Sequence, residues 1–321
     1  MSRPVIAVML AGRIRPSPLR DALNVHALCM PVGARGTLLD AWLQTLGSVP
    51  GMTQIQVVVN TTDEADSVKS VGATRGTRAK SDPVVRVLAE PSAWRGAAGL
   101  VRDVTDRLPD DAVVFVCEAK RLPPHSLQPI MDVWSTVNDL SGVVGVCGDD
   151  EPAGVSAFTR AAIELIPRVG YFDMKEQFLP ALCRQGRRVV TARICDVVRG
   201  LTDLDSYLKT ARRSLENGWG NGSLIRASDR AAISGSAILD GFCIIEDGAV
   251  IEDGAVVHDS VVLPGATIGG GAVVSRSIVG PLAMVEPRSR VIRDIVARPV
   301  DQGDDKSHVR AWSATGDRPS W

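Results

Sequence analysis

From Val5 to about Ile194 the chain alternates short apolar runs with longer amphipathic stretches. Val5 to Leu10, Ile55 to Val59, Val84 to Leu88, Val113 to Val116 and Val143 to Val146 are rich in valine and isoleucine, as buried parallel strands are. Leu38 to Leu46, Ala98 to Leu108, Leu127 to Val137 and Glu176 to Arg184 carry the wider apolar spacing of helices. Strand and helix in turn predict an α/β domain whose open, mostly parallel sheet is covered on both faces. In such a domain ligands sit outside the carboxyl ends of the strands.

The pattern changes after Leu215. Glu216 to Ser223 is glycine-rich and reads as part of a linker over 216–230. Ile233, Leu239, Ile245, Ile251, Val257 and Leu263 then recur every six residues, Ile268 slips by one, and Val274 resumes the step. Asp-Gly-Ala repeats at Asp247 and Asp253. A period of six fits neither a helix nor an alternating strand; it predicts a β-solenoid over 231–299 with turns at the glycines. The stretch 300–321 is polar, with few apolar anchors besides Trp312 and Trp321, and is expected to be a disordered tail.

Composition narrows the function. A net charge of -1 over 321 residues, with acidic and basic residues interleaved, supplies no field for nucleic acid or an anionic membrane. The six cysteines form no CxxC pair, which speaks against zinc, and are expected to be reduced packing residues of a cytoplasmic protein. The apolar start is too short for a signal peptide or a membrane span.

Four stretches carry a resemblance. Met9-Leu10-Ala11-Gly12, with Arg13 and Arg15 after it and Met30-Pro31-Val32-Gly33 further on, is similar to a phosphate-holding loop. Arg95-Gly96-Ala97-Ala98-Gly99 opens a predicted helix with small residues. Gly170 to Pro180 places Asp173, Lys175 and Glu176 ahead of a short helix, with Gly154-Val155 and Phe158 upstream. Leu201 to Leu208 leads into a connecting helix. Together with the hexapeptide region, these resemble the sugar-1-phosphate nucleotidylyltransferases, including mannose-1-phosphate guanylyltransferases and glucose-1-phosphate adenylyltransferases.

The resemblance implies a Rossmann-like nucleotidyltransferase domain over 1–215, followed by a short left-handed parallel β-helix. It implies that Leu10, Ala11, Gly12, Gly96, Ala97, Ala98 and Gly99 contact the nucleotide, and that Gly154, Asp173 and Glu176 contact the sugar. Arg13, Arg15 and Lys175 would supply charge to the phosphates, and Glu118 would hold magnesium. The implied reaction joins a nucleoside triphosphate and a sugar 1-phosphate into a nucleoside-diphosphate sugar and pyrophosphate by magnesium-assisted positioning and charge neutralisation. A homo-oligomer, or a hetero-oligomer with an active relative, is the expected assembly.

The sequence departs from the family at the catalytic parts. The loop's second glycine is missing, and the metal-binding aspartate that would fall near Gly200 is absent. A degenerate relative that binds nucleotide or sugar phosphate without turnover is therefore the second reading. The third is a hexapeptide acyltransferase using His258 as general base, although His258 reads better as a solvent-facing turn residue. His26, His125 and His308 sit in no ligand pattern and receive no role.

Overall fold

The computed structural model describes residues 3–12, 17–33, 36–73, 82–90, 94–148, 150–196, 200–216 and 223–298. Arg13, Arg15, most of the linker core and the tail 300–321 lie outside the described residues. The protein is mixed α/β, with large, mostly parallel sheets.

β1 (Val5–Leu10), β2 (Met52–Val59), β3 (Val84–Ala89), β4 (Val113–Glu118), β5 (Leu140–Cys147), β6 (Glu151–Thr159) and β7 (Arg188–Cys195) form one seven-stranded sheet in the order β3-β2-β1-β4-β6-β5-β7. β1 runs parallel to β2 and β4, and β2 to β3; β6 is antiparallel to β4 and β5, and β7 is parallel to β5. α1 (Pro18–Leu23), α2 (Leu38–Gly47), α3 (Thr62–Ala73), α4 (Gly96–Thr105), α5 (Gln128–Thr136), α6 (Arg160–Ile163), α7 (Leu179–Arg184) and α8 (Leu204–Glu216) surround it.

β1 is central, and its alternation explains the two layers. Val5, Ala7 and Met9 join a core that includes Leu38 and Trp42 of α2, whereas Ile6 and Val8 join one that includes Ala98 and Val101 of α4. A strand buried on both faces has no room for a polar position, hence its unbroken apolar run. The helix predicted over Glu176 to Arg184 is instead a π-helical turn, Met174–Phe178, followed by α7. Pro180 has no N–H to continue the ladder, and Leu179 N–H reaches back to the Met174 carbonyl.

The second unit begins earlier than its six-residue repeat suggests. β8 (Ile225–Ala227), within the expected linker, is followed by β9 (Ala232–Ile233), β10 (Ile238–Ile245), β11 (Val250–Ile251), β12 (Val256–Val262), β13 (Thr267–Ile268), β14 (Val273–Ser275), β15 (Ile278–Val279), β16 (Met284–Val285), β17 (Arg290–Ile292) and β18 (Ile295–Val296). Their pairings are parallel: Ile238 faces Val256, Val256 faces Val273 and Val273 faces Arg290. Each turn of the chain thus returns to register after 17 or 18 residues, three repeat units.

The buried core of this unit corrects one repeat position. Ile251, Val257, Val262, Ile268, Val274, Val279 and Val285 face inward, so the short step falls between Val257 and Val262 and recurs between Val274 and Val279. Leu263 packs instead into the core shared with β1 and α8, beside Phe242, Val261 and Ile278. The short step has a cause. At that corner Asp259, Arg276 and Arg293 adopt positive φ (46°, 48° and 53°), which turns the chain in fewer residues. The serines that follow are wholly buried and form a ladder: Ser260 Oγ accepts from Ser277 N at 3.0 Å, and Ser277 Oγ from Asp294 N at 3.1 Å.

Two further expectations change. Cys147 and Cys195 stand opposite each other on β5 and β7, with Cα atoms 4.6 Å apart, and are joined as a disulfide rather than being isolated thiols. His258 lies on β12, not in a turn, between the carboxylates of Asp240 (2.9 Å) and Asp259 (3.3 Å). Among the described residues, no helix is long and apolar enough to cross a membrane.

Candidate ligand-binding cleft

Of the residues singled out from sequence, Leu10, Ala11, Gly12, Glu118 and Gly154 lie at the carboxyl ends of β1 and β4 and at the neighbouring start of β6. Leu10 is the last residue of β1 and pairs in register with Glu118, the last of β4. Beyond it, Ala11 N donates to the Val58 carbonyl (2.8 Å), while the Leu10 carbonyl accepts from Ala119 N (3.1 Å), so the loop starts pinned between two strands. Gly12 then passes so close to Asn60 that a Cβ there would lie 2.4 Å from Oδ1, with Glu90 Oε2 next at 3.8 Å. Burial raises the Glu90 carboxyl above the ordinary carboxylate range.

His26 supports this loop from beneath and was missed from sequence. Its Nδ1 accepts from Leu28 N at 3.2 Å, which leaves the other nitrogen to donate to the Ala11 carbonyl. Burial, followed by the nearby Arg20 charge, lowers its pKa to about 4 despite Glu64 at 3.9 Å. The ring is therefore neutral at physiological pH.

At the end of β4, Glu118 is shared by two cations. Its Oε2 lies 2.8 Å from Arg121 Nε and its Oε1 3.0 Å from Lys175 Nζ. Gly154 makes this packing possible. It has φ of +79°, and a Cβ there would sit 2.9 Å from Arg121 Cδ and 3.2 Å from Glu118 Cβ. Arg121 Nη1 also donates to the Pro152 carbonyl (3.0 Å), its carbonyl accepts from Trp42 Nε1 (2.9 Å), and it bridges Gly200. Arg121 follows Glu118 by three residues, a spacing that could have flagged it.

The small residues of Gly96 to Gly99 serve a contact within the chain. The Phe172 carbonyl accepts from Ala98 N (3.1 Å) and Gly99 N (3.4 Å), and a Cβ on Gly96 would lie 2.7 Å from that same oxygen. Ala97 is half-buried beside them. Arg95 locks the junction: it grips Asp103 with two hydrogen bonds (2.8 and 2.9 Å) and donates to the Gly170 and Pro167 carbonyls. Asp173 caps the π turn, its Oδ1 accepting from Lys175 N (2.7 Å) and Glu176 N (2.8 Å). The cap brings Lys175 to Glu118, while Glu176 stays exposed.

The donor set does not fit a carboxylate-held magnesium ion. A metal at Glu118 would have to displace an ammonium or a guanidinium that already balances each oxygen. The aspartates around Gly200 are engaged elsewhere: Asp196 is exposed beside Arg193, Asp203 accepts from Ser206 N (2.8 Å), and Asp205 pairs with Arg293 (3.0 Å). Among the described residues, no three His, Cys, Asp or Glu side chains gather where they could hold a metal. What the arrangement offers is a glycine-floored strand edge with two adjacent cations, suited to an oxyanion. The cavity of about 520 Å³ lies elsewhere, against Gln56 and Arg86.

No protein-family model matches the chain, and no curated protein matches it.

Proposed function

We propose that this chain is a sugar-1-phosphate nucleotidylyltransferase-type protein that binds a nucleoside triphosphate or sugar 1-phosphate at the carboxyl ends of β1 and β4 without metal-assisted turnover. In this reading 231–299 is its left-handed β-helix, supported by the return to register every 17 or 18 residues. The observation that carries the reading is the pair of cations on Glu118, Arg121 and Lys175, with Arg121 packed against Gly154. A phosphate entering there exchanges a carboxylate partner for a more highly charged one, so binding needs no metal bridge.

Titration calorimetry with nucleoside triphosphates and sugar 1-phosphates, in EDTA, tests the proposal. Binding that weakens in Lys175→Ala is expected. Failure of every compound to bind overturns it. Pyrophosphate release from the paired substrates when magnesium is supplied replaces it with the catalytic reading, formation of a nucleoside-diphosphate sugar.

A further inference from the structure

The last coil of the second unit departs from the coils stacked beneath it at three positions. In one corner column Gly248, Gly265 and Leu282 share a left-handed backbone, with φ of +69°, +69° and +57°. On the β16 face a column runs Ala232, Val250, Thr267, Met284, and on the β17 face another runs Asp240, His258, Ser275, Ile292. Each column ends in a large apolar side chain, and all three are more than half exposed (59%, 60% and 56%).

The coil's own core does not account for this change, because all three side chains point outward. Leu282 spreads one methyl over Gly265, yet most of it stays open to water. It also holds a backbone conformation that glycine adopts without strain and leucine does not. Pairing stops at the same coil. β16 and β17 end their sheets and β18 pairs only with β15, so among the described residues one edge of each strand has no partner strand. The terminal coil of a solenoid needs a cover over such edges and over outward apolar residues.

The chain itself supplies a cover. The step of 17 residues that takes Ile278 to Ile295 takes Leu282 to position 299, one past the last described residue, Arg298. The described chain therefore ends at the Leu282 corner. Of the residues that follow, Trp312 is fourteen positions past Arg298, an extended reach of roughly 45 Å at about 3.3 Å per residue. That exceeds the length of one side of the coil, a six-residue repeat. Asp301, Asp304 and Asp305 precede it, and the coil carries Arg288 and Arg290, which have no ion-pair partner among the described residues.

We propose that residues 299–321 cap the last coil, with their tryptophans packed on Leu282, Met284 and Ile292. The cap takes the place of a further coil at the open end. This assignment does not rest on the function proposed for the cleft.

The test is limited trypsin digestion of the folded full-length protein, with mass spectrometry reading cleavage after Lys306 and Arg310. A Leu282→Gly/Met284→Thr variant gives the last coil the residues of the coil below, so it keeps the fold, which circular dichroism checks. Both sites should be cut about tenfold faster in it than in the wild type, because protease reads the population of the open form. Trp312→Ala should speed cleavage as much, and joining it to the coil variant should add little, since both remove one contact. An unchanged rate in either variant, or increases that multiply when the two are joined, overturns the proposal. Light scattering identifies the competing occupant: a wild-type mass that falls in the coil variant makes the patch a contact with a second copy, and the tail is then not its cover.

Discussion

Lys175 Nζ lies 3.0 Å from Glu118 Oε1, which ties the π turn after Asp173 to the end of β4. The two side chains come from segments more than fifty positions apart, and both are partly open to water. Such a pair contributes little to stability, about 0–1 kcal/mol. Its consequence is electrostatic: it stations a cation beside Glu118 at the end of β4 and keeps that cation partly neutralised.

Glu118→Gln should therefore leave melting nearly unchanged while raising affinity for a nucleoside triphosphate several-fold, because Arg121 and Lys175 lose their competing anion. Lys175→Ala should lower it by about tenfold. Paired titrations at one ionic strength check both. A Glu118→Gln protein that binds more weakly would show that the carboxylate itself contacts the ligand.

His26 gives the fold an acid-sensitive point. Its pKa is about 4 in the folded protein, against 6.5 for the free side chain, because burial and Arg20 disfavour the charged ring. Above pH 6.5 both states are neutral and the group has no effect. As pH falls from 6.5 toward 4, the unfolded chain takes up a proton that the native one refuses, so stability declines across that window. Glu64, whose pKa burial alone would raise but the Arg20 bond and charge together with the Asn60 N–H lower, limits the effect, and Lys120 adds to it. His26→Gln should flatten this part of the stability profile measured by urea titration. An unchanged slope would mean that His26 protonates in place.

In the second unit, Ile251→Asp buries a charge at a position that is 1% exposed and should destabilise by several kcal/mol, about 3 or more. Ser277→Ala is subtler. It strands Asp294 N, now served by the Ser277 hydroxyl, while the Ser275 carbonyl keeps its bond from Arg293 N (2.9 Å), at a cost of about 1–3 kcal/mol. Chemical denaturation distinguishes them. If Ser277→Ala melts like wild type, the serine ladder carries no weight at the corner.

Much of this fold was legible because burial on both faces leaves one kind of residue. β1 was read to its observed ends, and the repeat was visible because each turn must return an aliphatic residue to the same core. The misplaced step at Leu263 arose because Val261, Val262 and Leu263 are all buried, in two different cores, and a run of three apolar residues does not say which faces where. The cleft was legible in its glycines but not in their partners. Gly12, Gly96 and Gly154 mark close approaches, whereas Asn60, Phe172 and Arg121 reach them only through the folded sheet. The roles of Arg95 and His26 were invisible for the same reason: besides near neighbours, Arg95 reaches Gly170 and Pro167 and His26 reaches Ala11 and Glu64, which only the fold brings close.

The pairing of Cys147 with Cys195 predicts a thiol count. Alkylation of the unfolded, unreduced protein should label Cys29, Cys117, Cys183 and Cys243 and spare the other two, with labelling of all six after reduction. Cys117 should resist labelling in the native state, because it is fully buried and burial pushes its thiol pKa far up. Peptide mapping that finds Cys147 and Cys195 modified without reductant would show them to be neighbouring free thiols.

Gly154 and Gly170 separate backbone strain from contact. Both have left-handed φ, +79° and +84°, so alanine at either position meets a conformational penalty of roughly 1–2 kcal/mol. Only at Gly154 does the added methyl also meet neighbours, 2.9 Å from Arg121 Cδ and 3.2 Å from Glu118 Cβ, whereas Gly170 has nothing within 4 Å. Gly170→Ala should thus lower stability by the backbone term and leave nucleotide or sugar-phosphate binding intact. Gly154→Ala should lower stability further and push Arg121 from its place between Glu118 and the Pro152 carbonyl. Anion affinity should fall with it, since one of the two cations is then misplaced. Measuring denaturation and ligand titration on both variants isolates the contact as their difference. Equal losses of binding in the two would mean that Gly154 matters for its backbone alone and that Arg121 is not part of the site.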